Sequence, residues 1–437
     1  MDVYYFDQFD LLLNRPDKIE AILNPNDTKK IQLYKQAWQK RVKKMGFDPQ
    51  NLEGQYLLEA PEIQLLTASP EVQLTEKNFE IAFGASDKNY PLSKIHLKVN
   101  GVPVDGVKGK LIQSSPYQLT SHRLQIELSE GQNRIDLSVM NTKGVESLTK
   151  TLFIDHAPVE KVSSDLYLIS IGVSKFQQAE FNLTYADKDA RDIIHQYQTT
   201  DQDFDKIKVF EFTNEKANAS DILALRDLLQ QTKVNDRVLV FVASHGLISD
   251  QLDYYIAMHA TNFNNPSEGS LLYDDLENLL DGIPAREKLV LLDVCHSGEI
   301  DKDEVILAKA GDSSEKANVS SRGFKVVKNK TNSSGLSNSF ELMKELFSDL
   351  RRNNGAVVIS SASGKEFAFE SSEWQNGVFT YSLIEGIKTG NADVNKDKTI
   401  SVSEVQDYVG RRVVQLTNGQ QNPTSRTENL ESDFRVW

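Results

Sequence analysis

One cysteine and one histidine have the clearest capacity for covalent chemistry. Cys295 is the only cysteine among 437 residues; it closes an apolar run, LVLLDV, and is followed by His-Ser-Gly. A sulfur that emerges at a strand end, on a tight turn with free backbone N–H groups, can attack a carbonyl and stabilise the resulting oxyanion. His245 follows a second apolar run, VLVFVAS, 50 residues upstream. A thiol of ordinary pKa, near ~8.5, needs such a base to be an effective nucleophile at neutral pH. Alone, a cysteine on an apolar strand reads as a small buried hydrophobe and a His-Gly pair reads as a turn. Together, in this order and at this separation, they point to a catalytic Cys–His pair. His296 adjoins the nucleophile, but neighbouring residues diverge at a turn, so it is assigned a structural role.

A second group of residues concerns specificity. Asp293 lies two residues before Cys295, and the strand period of two puts its carboxylate on the same face as the sulfur, beneath the scissile bond. Capping of nearby N–H groups is the competing reading. A buried carboxylate needs a cation or hydrogen-bond donors to offset its desolvation. Glu366 and Glu370 add to the acidic field. Further on, Asp393, Asn395, Asp397, Thr399, Ser401 and Glu404 occupy positions 1, 3, 5, 7, 9 and 12 of a loop between helical stretches. That spacing resembles an EF-hand calcium loop. Position 6, normally glycine, is Lys398, which adds strain and a positive charge; a metal-free polar turn is the alternative.

The elements that must position these residues fall into three parts. Residues 1–57 are a helical connector, in which KKIQLYKQAWQKRVKKM carries Ile31, Tyr34, Trp38 and Val42 at helical spacing, with a basic face expected to be solvated. Residues 58–158 hold short alternating segments separated by Gly, Asn, Ser and Pro turns, the pattern of an all-β sandwich. From 159 to 437 strands and helices alternate, starting with DLYLISIGVS and YADKDARDIIHQYQ, which predicts a mostly parallel sheet covered on both faces. Ligand sites in such sheets lie outside the carboxyl ends of the strands, where both Cys295 and His245 fall. Residues 301–338, rich in Ser, Asn, Lys and Gly, are read as a long exposed loop between two halves.

Composition removes several functions. With 63 acidic against 49 basic side chains, a net charge of −14 disfavours nucleic acid and anionic membranes as partners. A single cysteine permits neither an internal disulfide nor a cysteine-based metal cage. No apolar run reaches the ~20 residues of a membrane span, and the N-terminus lacks a signal-peptide pattern, so a cytoplasmic location is expected.

The sandwich, through VNGVPVDG and EGQNRIDLSVMNTKG, resembles immunoglobulin-like modules without their Cys and Trp marks. Residues from about 161 resemble the caspase-like cysteine peptidases, closest to bacterial homologues and metacaspases; VLVFVASHG, KLVLLDVCHSG, YADKDAR and GVFTYSLIEG carry the resemblance. It implies a caspase/haemoglobinase fold and a Cys295–His245 dyad that cleaves peptide bonds without a cofactor for the chemistry. It also implies an oxyanion hole from the N–H groups of Gly246 and Cys295, and a pocket for Arg or Lys lined by Asp293 and Asp189. One departure is Ala243, which stands where metacaspases usually have serine. Relatives are often cut between the two halves, and here Lys316, Arg322, Lys325, Lys328 and Lys330 are candidate self-processing positions. Protein or peptide substrates with basic residues are the expected partners, with a further partner protein through the sandwich. The alternative is a catalytically silent scaffold that recruits partners through the sandwich. The opening segment also resembles the connector before caspase-like domains in bacterial proteins with upstream WD repeats.

Overall fold

The computed structural model describes residues 4–54, 59–70, 72–114, 119–199, 204–249, 253–297, 319–321, 354–362, 368–425 and 433–437, with side chains omitted at 295–297 and 319–321. The amphipathic periodicity near the N-terminus yields helices α1 (Asp10–Leu13), α2 (Pro16–Leu23), α3 (Thr28–Lys44) and α4 (Pro49–Leu52). Tyr34, Trp38 and Val42 form the buried stripe of α3, and the Trp38 indole N–H donates to the Leu11 carbonyl at 2.9 Å. The basic face of α3 is not wholly solvated as its composition suggested. Lys44 Nζ lies 2.7 Å from Glu277 Oε2 and Lys40 pairs with Asp253, so the helix is pinned to acidic groups more than 200 residues away. Charge complementarity of the neighbouring domain, invisible in the helix itself, accounts for the difference.

Alternating apolar residues then build strands β1 (Glu62–Leu65), β2 (Asn78–Ser86), β3 (Leu92–Val99), β4 (Val102–Pro103), β5 (Lys110–Leu111), β6 (Thr120–Glu127), β7 (Gly131–Asn141) and β8 (Lys150–His156). One sheet has the order β1-β2-β6 and the other β4-β3-β7-β8, with β5 on β3, all antiparallel. Inward-facing Ile81, Phe83, Leu97, Ile126, Leu137 and Ile154 fill the space between them.

The remaining chain forms β9 (Asp165–Gly172), α5 (Ala186–Thr199), β10 (Lys206–Thr213), α6 (Ala219–Leu223), α7 (Arg226–Leu229), β11 (Arg237–Ile248), β12 (Tyr254–Ile256), β13 (Leu271–Leu272), α8 (Tyr273–Leu280) and β14 (Glu287–Ser297). Then follow β15 (Val319–Ser321), β16 (Val357–Ser360), β17 (Phe369–Ser371), β18 (Asn376–Gly377), α9 (Val378–Thr389), α10 (Val402–Leu416) and β19 (Thr424–Ser425). The main sheet has the order β10-β9-β11-β14-β16-β19; its neighbours are parallel except β19, which is antiparallel to β16. The stretch ASDILALRDLLQQT forms two short helices, α6 and α7, the second anchored by Arg226 on the carbonyls of Asn278 and Leu279 at 2.9 Å. The uninterrupted apolar strands are buried on both sides: Val240, Val242, Val290 and Leu292 face one layer, while Leu239, Phe241, Leu289 and Leu291 face α5, α9 and α10. Each such fully buried aliphatic side chain contributes on the order of 1.5–3 kcal/mol.

The sandwich docks against the amino ends of this sheet. Arg286, just before β14, donates to Ser129 Oγ at 2.6 Å and to the Glu127 carbonyl, and burial lowers its pKa to about 10. The Val107 N–H donates to Asp281 Oδ1 at 2.9 Å. Gly355 has φ +83, and a Cβ there would lie 2.7 Å from the Val102 side chain, so only glycine allows this approach. Deeper in, the wholly buried Lys288 donates to the carbonyls of Asn354 (2.6 Å) and Leu280 (3.1 Å). Burial pulls its pKa from 10.5 to about 7; Arg226 and Arg286 push the same way and Asp281 opposes them. Between these two values the unfolded chain binds more protons than the folded one, so this group makes stability rise with pH from about 7 towards 10.5, and below about 7 its slope vanishes. In Lys288→Met that rise disappears, which urea-unfolding midpoints measured across the window will show.

Candidate active site

The parallel ladder between β11 and β14 runs from Arg237 opposite Glu287 to Leu247 opposite Ser297, and it sets His245 opposite Cys295 and Gly246 opposite His296. The two residues therefore occupy adjacent backbone positions at the carboxyl end of the sheet. That end adjoins the switch point between β9 and β11, where the chain order reverses, the place at which open α/β sheets bind their ligands. The side chains of Cys295 and His296 lie outside the described residues.

The His245 ring is buried, and Nε2 lies 2.8 Å from the Phe181 carbonyl oxygen. A carbonyl can only accept, so Nε2 carries the proton and Nδ1 carries the lone pair. Phe176 and Phe263 flank the imidazole, with ring centroids 5.4 and 5.7 Å away, and Phe181 stacks on Phe263 at 3.9 Å. These aromatics shield the Nε2–H bond from water, which keeps it strong. The segment after β9 that delivers Phe176 and Phe181 is held by side-chain amides: Asn214 Oδ1 accepts from the N–H groups of Ser174 and Lys175 at 2.9 Å, and Gln178 Oε1 accepts from Phe263 N at 2.8 Å. His259 bonds the Lys175 carbonyl through Nδ1 at 2.7 Å. Phe181 was not legible as a functional residue, because the group that holds His245 is a main-chain oxygen that any residue would supply.

Three of the predicted pocket carboxylates are gathered around two helix N-termini. Asp293, fully buried, accepts from Thr380 Oγ1 in the first turn of α9 at 2.7 Å. Asp189, also fully buried on α5, accepts from Asn376 Nδ2 at 2.8 Å and from the Gly377 N–H at 3.2 Å. Glu370 on β17 accepts from the N–H groups of Thr184 (3.0 Å) and Tyr185 (3.3 Å), just ahead of α5. Carboxylates are favourable at such positions because unpaired N–H groups and the helix dipole converge there. Each one ties two elements together; Asp189 and Glu370 cap backbone N–H groups, whereas Thr380 donates to Asp293 through a hydroxyl. Gly172 allows this closeness: a Cβ there would meet the Ala186 carbonyl oxygen at 2.4 Å. Glu366 lies outside the described residues.

In the Asp393 loop, Asp393 accepts from the N–H groups of Asp397 (3.2 Å) and Lys398 (3.0 Å), and Asp397 accepts from Thr399 N at 2.8 Å. Lys398 has φ +72, the left-handed conformation that position 6 of such a loop demands. The backbone turns and the hard oxygen donors suit a calcium ion. The carboxylates as placed are turned onto N–H groups instead: Glu404 accepts from Val394 and Asn395 through Oε1 and from Ser401 through Oε2, and among the described residues no group of three His, Cys, Asp or Glu side chains is spaced to hold a metal. Lys316, Arg322, Lys325, Lys328 and Lys330 lie outside the described residues. The stretch expected to be a featureless loop does contain a strand, β15, which pairs antiparallel with β17.

Removal of the Glu370 carboxylate leaves the Thr184 and Tyr185 N–H donors without this acceptor just ahead of α5, at a cost of about 1 kcal/mol. Glu370→Ala should lower the denaturant midpoint accordingly, and Glu370→Gln, which retains one acceptor oxygen, should lower it less.

A family model described as a caspase domain matches residues 167–435. Caspase-1 from Spodoptera frugiperda is similar in structure at 13% identity, over 61% of this chain and 89% of that chain, with a TM-score of 0.35. The fibronectin(III)-like modules of CbhA from Clostridium thermocellum match at 16% identity over 22% of this chain and 99% of that chain, with a TM-score of 0.18. A CARDB domain from Pyrococcus furiosus matches at 16% identity over 24% of this chain and 95% of that chain, also at 0.18. No curated protein matches the chain.

Proposed function

The chain belongs to the caspase-domain family, and from that premise we propose that it is a cysteine endopeptidase in which Cys295 is the nucleophile and His245 its base. The observation that carries the reading is the strand register that sets His245 opposite Cys295, with the His245 Nε2–H tied to the Phe181 carbonyl. In that tautomer Nδ1 takes the thiol proton and returns it to the leaving amine, while the N–H groups of Gly246 and Cys295 receive the oxyanion. Phe176 and Phe263 hold the ring plane through the cycle.

Specificity for Arg or Lys before the scissile bond draws support from Asp293 and Asp189, with Glu370 on the strand that pairs with Gly377; Glu366 belongs to the same proposal. Thr380 Oγ1, Asn376 Nδ2 and the Gly377 N–H orient the Asp293 and Asp189 carboxylates. Self-processing within 301–338 and calcium binding at Asp393, Asn395, Asp397, Thr399 and Glu404 belong to the same proposal; calcium would draw the Glu404 carboxylate off its N–H groups and into the loop. No described helix is long and apolar enough to cross a membrane. A second reading, a scaffold with a silent dyad, draws on the apolar side chains Leu66, Val72 and Phe153 that the sandwich exposes.

Hydrolysis of fluorogenic peptides ending in Arg, Lys, Asp or Leu tests these points. Release is expected after Arg and Lys only, with a loss of more than ~10³-fold in Cys295→Ala. Asp293→Asn should lower kcat/KM for the Arg peptide by roughly tenfold or more. A calcium titration that leaves wild type and Asp393→Ala alike would remove the calcium site. Cysteine-dependent cleavage confined to Asp or Leu peptides would refute the acidic pocket and spare the dyad, whereas no turnover with any peptide would favour the scaffold.

A further inference from the structure

In the reaction proposed above a proton passes from His245 to the leaving amine, so the nitrogen of the residue after the scissile bond comes within about 3 Å of the imidazole. The side chain of that residue then lies against whatever lines the ring. In the main sheet β11 stands between β9 and β14. Cys295 is on the β14 side, whereas β9 stops pairing with β11 at Gly172, opposite Ala243. Beyond that point the chain between β9 and α5 takes over, and it brings Phe176 and Phe181 to His245. Phe263, from the loop between β12 and β13, completes the group. Its ring is 5.7 Å from the imidazole, stacks on Phe181 at 3.9 Å with 14° between the planes, and meets Phe176 edge-on at 5.2 Å. Phe176 is buried in the layer of Val240 and Val242, while Phe181 and Phe263 pack on that layer and are only half-buried. Asp293 and Asp189 belong with α9 and α5 in the other layer.

The two segments that carry these rings are fastened to each other. The Gln177 N–H donates to the His259 carbonyl at 2.9 Å, His259 Nδ1 bonds the Lys175 carbonyl at 2.7 Å, and the Phe263 N–H donates to Gln178 Oε1 at 2.8 Å. The Phe176 N–H donates to Asn182 Oδ1 at 2.8 Å, which closes the turn that carries Phe181. Rings held in this way offer apolar area at little ordering cost on binding. Support of the imidazole accounts for the buried Phe176, but not for two stacked rings left half-buried at the catalytic end of the sheet. We propose that the Phe181–Phe263 pair is the wall of a subsite for the residue after the scissile bond, and that it selects a large apolar side chain, leucine or phenylalanine, at that position. The inference rests on the peptidase reading above and names the leaving-group half of its substrate. A leucine laid on the rings exchanges water for apolar contact, glycine has no side chain to do so, and aspartate would lose hydration without a partner. The substrate thus spans the end of the sheet, its basic residue towards α5 and α9 and its apolar residue towards the two rings.

The test uses the full chain and internally quenched peptides that share the residue before the bond, the one favoured in the fluorogenic screen, and carry Leu, Phe, Gly or Asp after it. Wild type should favour Leu and Phe over Gly and Asp by roughly tenfold or more in kcat/KM, with the cut located by mass. For the variants the quantity to compare is the Leu-to-Gly ratio within one protein. A disturbed His245 slows both peptides alike and cancels in that ratio, whereas a lost subsite slows the Leu peptide alone. Phe263→Ala and Phe181→Ala should bring the ratio to within about twofold of one, and the second keeps the main-chain carbonyl that orients His245. Phe263→Leu, which remains apolar, should hold the ratio above about fivefold. A wild type indifferent to the residue after the bond overturns the inference and spares the peptidase, as do alanine variants that slow the Leu and Gly peptides by the same factor. A chain that cuts none of the peptides overturns both.

Discussion

The parallel ladder between β11 and β14 is the constraint on which the other features depend. Its eleven residue pairs keep a constant offset, from Arg237 beside Glu287 at the amino end, where the two side chains form an ion pair, to the His245–Cys295 pair near the carboxyl end. A slip of one residue would reverse every side chain between the two helical layers. Leu289 and Leu291 would leave the layer of α5 and α9, and Asp293 would lose Thr380. Apolar burial along both strands therefore fixes the register, and the register sets the backbone of His245 beside that of Cys295.

Above that ladder the polar groups act as ties between elements. Asp189 joins α5 to α9, Glu370 joins β17 to α5, and Asp293 joins β14 to α9. All three place a carboxylate among N–H or O–H donors at or near a helix start, which stabilises its charge. The His245 carbonyl tie works in the same way from the β9–α5 segment. The site is thus assembled from four separate pieces of sequence, and each piece is located by a hydrogen bond to another.

How much of this the sequence announced differs by type of interaction. DLYLISIG, RVLVFVAS and KLVLLDV were legible as buried parallel strands because continuous apolar runs bounded by helices have few other solutions. His245 and Cys295 were legible because they end two such strands at matched positions. Phe181 was not, since a backbone carbonyl leaves no mark in residue type, and the partners of Asp189 and Glu370 lie roughly 190 residues away in the chain. The strand Val319–Ser321 was hidden in a polar stretch without alternation, because its pairing is decided by β17 and not by its own composition. The charges on α3 misled for the same reason: Lys40 and Lys44 look solvated until Asp253 and Glu277 arrive.

The sandwich touches the peptidase region at both of its halves. Ser129 and the Glu127 carbonyl hold Arg286, which precedes β14, and Val102 packs on Gly355, which begins the stretch leading to β16. Between those halves, β14 and β16 are hydrogen-bonded neighbours, and Lys288 on the first strand reaches the Asn354 carbonyl at the start of the second. A chain severed anywhere from 298 to 353 would consequently migrate as two bands under denaturing conditions yet sediment as one particle in native buffer. Such a cut changes the connectivity of the molecule and leaves its composition intact, with the β-sandwich serving as the clasp.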